Sequence, residues 1–169
     1  MNFNFLAVFV AALIPMVFGF VWYHPKVLGT VWMKANNFKE DDLKGGNMAI
    51  IFGISFILSL LLAFYMNFIT IHQTHIYSAL MDMANVEAIE NINTEVGADY
   101  ANMMAKYGHN FRTFKHGALH GFLASIFFML PILGTNALFE RKGWKYIAVN
   151  AGYWTVCLMI MGGIVCAWV

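Results

Sequence analysis

The side chains best able to do chemistry in this 169-residue sequence are its six histidines. His116 and His120 are four residues apart, one helical turn and about 40° apart around the axis, so both imidazoles can reach one point. His72 and His75 likewise share a face if a helix continues through them. Neutral imidazoles at such spacings ligate zinc, copper, iron or a haem. His72, His75, His116 and His120 are therefore the candidate metal ligands, with a transition metal or haem as the implied cofactor. Two other readings stay open. Histidine is amphipathic and rests easily at a lipid–water boundary, where Asn67, Thr70 and Thr74 could hydrogen-bond to it. Protonation near pH 6 could also make these groups a switch.

Other chemistry is poorly represented. No glycine-rich phosphate loop is present, and no Ser–His–Asp arrangement can be assembled. The two cysteines, Cys157 and Cys166, lie nine residues apart. On one helix that places them on opposite faces and roughly 13 Å apart, too far to bridge, so both read as packing residues. A net charge of +1 carries no nucleic-acid signature.

The elements that must position the histidines are four uncharged runs of 21 to 24 residues: Phe3–Tyr23, Met48–Thr70, Gly117–Phe139 and Tyr146–Val169. As helices they would each span roughly 30–36 Å, the thickness of a bilayer's hydrocarbon core. With 60% hydrophobic and 11% charged residues, the chain is far more apolar than a soluble domain. The expected fold is all-α: an integral membrane four-helix bundle with short amphipathic interfacial helices in the first and second loops. One transmembrane domain over 1–169 is expected, with helices at about 3–23, 48–71, 116–139 and 145–169 and an extracytoplasmic helical loop at about 72–113. No Asp, Glu, Lys or Arg lies inside a run, so a charge-coupled proton relay lacks parts. The first run has no basic residue before it and is too long for a cleavable signal, so none is expected.

Loops one and three hold seven Lys and Arg, against three in the second loop. The positive-inside rule puts loops one and three in the cytoplasm and both termini outside. His72, His75, His109, His116 and His120 then share the outer side, and His24 the inner. Pro15 and Pro131 should kink the first and third helices. Small residues recur every four positions at Ser55, Ser59 and Ala63 and at Gly117, Gly121 and Ser125. Such stripes pack helices within one chain or between copies. Asn136 and Asn150 are placed to hydrogen-bond to each other. In the first loop, Pro25–Asn36 reads as an interfacial helix. In the second, 78–91 reads as helix-forming, and Tyr100, Met103, Met104 and Tyr107 mark an apolar helical face.

The run G-F-V-W-Y-H-P-K-V-L-G-T-V-W-M at Gly19–Met33 resembles the opening of a bacterial family of small membrane proteins, domain of unknown function 1761. Gly19, Trp22, Tyr23, Pro25, Gly29, Trp32 and Met33 carry the match. N-A-L-F-E-R at Asn136–Arg141, N-A-G-Y-W at Asn150–Trp154, Met161, Gly162 and Trp168 resemble its end. The resemblance implies a four-helix protein of the bacterial inner membrane and no particular activity. Trp22, Tyr23 and Trp32 suit an aromatic belt, and Pro25 stops the span. The expected role is a non-catalytic accessory or scaffold membrane protein. Its expected partners are lipids and a second copy or another membrane protein, with no nucleic acid. The alternatives are a metal- or haem-binding protein and a carrier of a small neutral or apolar molecule.

Overall fold

In lipid a backbone must satisfy its own polar groups, and the helix does so within one segment. The computed structural model describes residues 3–169, and no strand occurs among them. Its helices are α1 (Phe5–Trp22), α2 (Thr30–Asn36), α3 (Met48–Thr70), α4 (Gln73–Leu80), α5 (Glu95–Tyr107), α6 (Phe114–Ala124), α7 (Leu130–Phe139) and α8 (Trp144–Ala167). A π turn at Ser125–Met129 joins α6 and α7 into one run, Phe114–Phe139. Among the described residues, α1, α3, this run and α8 are long and apolar enough to cross a membrane. The chain is an all-α membrane protein.

Short polar side chains set where these helices begin. Asn4 accepts a hydrogen bond from the Ala7 amide at 3.0 Å, and Asn47 from the Ile50 amide at 3.2 Å. Thr113 caps α6 by accepting from the His116 amide at 3.2 Å. That cap starts α6 at Phe114, ahead of the uncharged run, and places Lys115 and His116 in its first turn.

The span most enclosed by protein is α8, with α1, α3 and α6 packed around it. Cys157, Leu158, Met161, Val165 and Cys166 form the buried centre. Against α6 the approach is backbone to backbone. A Cβ added at Gly117 would strike the Gly162 carbonyl and the Cys166 Cβ, and one at Gly121 the Leu158 carbonyl. Ser125 Oγ then hydrogen-bonds Thr155 Oγ1. The Gly117–Gly121–Ser125 stripe is thus occupied within the chain. The other stripe divides: Ser59 and Ala63 are buried while Ser55 faces outward beside the exposed Ile54 and Leu58.

The two prolines are accommodated differently. Pro15 stays inside an α-helix, and Tyr153 Oη donates to its carbonyl. Pro131 follows the π turn, whose wider ring relieves the clash of a proline with the carbonyl four residues earlier. Nearby, Trp22 Nε1 donates to the Val149 carbonyl at 3.1 Å and Tyr23 Oη to Asn150 Oδ1 at 2.9 Å. Asn150 Nδ2 donates to the Tyr146 carbonyl at 2.8 Å. Asn150 is therefore engaged by α1 and its own helix, where pairing with Asn136 was expected. Hydrogen bonds between membrane helices contribute about 0.6 kcal/mol on average and at most about 1.7. Tyr23→Phe should cost about 1 kcal/mol, read as an earlier unfolding midpoint in mixed micelles.

Loops one and three meet on one side, where Lys142 Nζ donates to Asn36 Oδ1 at 3.4 Å. There His24 Nδ1 accepts from the Lys26 amide, and a π turn at Pro25–Gly29 leads into α2. A Cβ at Gly29 would fall on the Tyr23 carbonyl, which explains the glycine. On the opposite side the second loop meets the end of α8. The helix expected over 78–91 instead stops at Leu80, where Met81 turns extended and Asp82 Oδ1 accepts from the Ala84 amide at 2.9 Å. Short Asp and Asn side chains compete with helical hydrogen bonds in this way. Only a 3₁₀ turn, Val86–Glu90, follows. The Thr94 cap then starts α5 at Glu95, earlier than its apolar face suggested.

Candidate metal centre

Three imidazoles converge where α3 ends and α6 begins. Thr70 Oγ1 donates back to the Met66 carbonyl at 2.8 Å, and the next residue, Ile71, is extended at φ −105° and ψ 101°. The chain restarts as α4 at Gln73 with His72 at the cap position. His72 Nε2 lies 3.1 Å from His116 Nε2 and 3.2 Å from His120 Nε2. One ligand atom from each of the three lies within 4.8 Å of the others. His75 is not among them. His75 follows on the same helical turn, its amide donating to the His72 carbonyl at 3.0 Å, but its Nδ1 sits 3.4 Å from Thr74 Oγ1 instead. His109 also lies outside the group, and His24 is in the first loop on the opposite side.

The short contacts fall on a single nitrogen, and that is chemically informative. An imidazole Nε2 carries either one in-plane hydrogen or one in-plane lone pair, so it can serve one hydrogen-bond partner well. His72 Nε2 faces two. A cation at the shared point would instead take a lone pair from each ring. With metal–nitrogen bonds of about 2.0–2.1 Å, edges of 3.1 and 3.2 Å subtend roughly 100° at the ion, within the range of tetrahedral or facial octahedral coordination. Opposed axial ligands of a haem would be about 4 Å apart with the macrocycle between them. The geometry suits a bare ion better than a haem.

The support around the triad is unusual. Phe111 packs its ring 5.0 Å from His116 and 5.5 Å from His72, and its backbone is left-handed at φ +62°. Non-glycine residues hold such angles only when their surroundings fix them. Cys166 Sγ reaches the Phe111 carbonyl at 3.3 Å and the Thr70 carbonyl at 3.4 Å. Arg112 Nε donates to the Cys166 carbonyl at 2.7 Å. The ends of α3, the second loop and α8 are thereby tied together beside the triad. Cys166 read as packing alone from its apolar neighbours. Its polar role depends on two chain segments far away in sequence and had no local signal.

Fold and site define a helical membrane protein with a histidine triad at one end of its bundle. A family model described as "Protein of unknown function (DUF1761)" matches residues 6–166, and the chain belongs to that family. No curated protein and no solved structure matches it.

Proposed function

We propose that this is a membrane metal-binding protein in which His72, His116 and His120 hold one first-row divalent ion, zinc or copper by preference. The observation that carries this reading is the pair of contacts, 3.1 and 3.2 Å, that His72 Nε2 makes to two other imidazole nitrogens. An N–H···N hydrogen bond can satisfy one of these contacts well, whereas a shared cation satisfies both. The protein sits in the bacterial inner membrane with loops one and three in the cytoplasm, supported by their seven Lys and Arg against three in the second loop. The metal then lies on the outer side.

An accessory or scaffold role, with a second copy as partner, is the weaker reading. The stripe that would have faced a second copy packs against α8 instead. A carrier role draws on Pro15 and Pro131; a cavity of about 450 Å³ lies elsewhere, in the second loop among Leu80, Asp82, Ala88 and Asp99.

Equilibrium dialysis of detergent-solubilised protein against zinc tests the proposal. One ion per chain is expected at pH 7.5. Protons compete for the same lone pairs, so affinity is full where the imidazoles are neutral and falls as acid protonates them. By pH 5 the ion should be released. Zinc uptake below one tenth of an equivalent at pH 7.5 would contradict the proposal, as would uptake indifferent to pH.

A further inference from the structure

The triad supplies three nitrogens, and no fourth His, Cys, Asp or Glu side chain joins them among the described residues. Protein sites that use three ligands keep the fourth position for water or an exchangeable ligand. Three neutral imidazoles also leave the full charge of a divalent ion uncompensated. Next to lipid, where the dielectric is low, an anion in the open position is strongly favoured. His72 itself is exposed, so the site is reachable from outside the bundle.

The surface leading to it is apolar. On α6, Leu123 lies about 20° around the helix from His116 and one turn deeper than His120, and Leu119 flanks the same face. Leu119 is 53% and Leu123 38% exposed, so this face is open to the bilayer's hydrocarbon. Phe111, 60% exposed, packs against the rings of His72 and His116. A ligand with an anionic head at the ion and a hydrocarbon tail along Leu119 and Leu123 satisfies both surfaces together.

We infer that the metal held by His72, His116 and His120 keeps one exchangeable position that takes the carboxylate of a membrane-borne amphiphile. The inference rests on the metal reading above, and cobalt separates the two. Protein loaded with Co²⁺ in nanodiscs of neutral phosphatidylcholine reports its coordination through visible absorption bands. Laurate should shift those bands saturably, at concentrations at least tenfold below acetate after correction for its measured partition into protein-free nanodiscs. Equal corrected concentrations for the two carboxylates would overturn the amphiphile as source. Bands that move with neither would overturn the open position while leaving the metal reading intact. Failure to bind Co²⁺ at all would remove both.

Discussion

His72→Ala is expected to lower zinc affinity by more than about a hundredfold while leaving the bundle folded. Loss of a residue that only orients a metal ligand already costs about 10–100-fold, so loss of a direct ligand should exceed that range. His72 is also the one nitrogen within hydrogen-bond distance of both others, at 3.1 and 3.2 Å. Its ring is exposed, so its removal opens no cavity in the core. His116→Ala and His120→Ala should behave alike. His75→Ala, on the same helical turn as His72 but outside the group, should bind zinc as the parent does. Competition with a chromophoric chelator reads all four. A His72→Ala protein that holds zinc as tightly as the parent would show that the ion, if bound, sits elsewhere.

Gly117→Val is expected to cost about 3 kcal/mol, the upper end of what overpacking a tight core does. The new side chain would meet the Gly162 carbonyl and the Cys166 Cβ, neither of which is the far end of a flexible side chain. Relief requires α6 and α8 to separate, which would also pull Cys166 away from Thr70 and Phe111. Gly53→Ala is the matched control, because nothing lies within 4 Å of the added atom, and it should change stability by less than about 0.5 kcal/mol. Unfolding midpoints in mixed micelles distinguish them. Equal midpoints for the two variants would mean that α6 and α8 do not touch at their glycines.

The four spans were legible because lipid imposes a length and a composition that charge-free runs display openly. Caps shifted their edges by a turn or less, as Thr113 did for α6. The triad was legible only in part. Helical periodicity aligns His116 with His120, but whether His72 faces them depends on how the chain leaves α3. That exit is set at Ile71, an apolar β-branched residue with no turn signature. His75 shares a helical turn with His72, as its spacing suggested, yet lies outside the group. The Asn136–Asn150 pairing failed for a related reason. Depth in the membrane can be counted from sequence, whereas the neighbour of a given helix face cannot, and Asn150 met Tyr23 at the end of α1. The Phe111 backbone and the Cys166 contacts depend on distant segments, and no periodicity encodes them.

X-ray absorption at the zinc edge of the reconstituted protein tests whether these rings share an ion. Three imidazole nitrogens at about 2.0 Å with one oxygen ligand are the expected first shell. A shell of oxygens alone, or one that keeps all three imidazoles in a His116→Ala variant, would contradict the account.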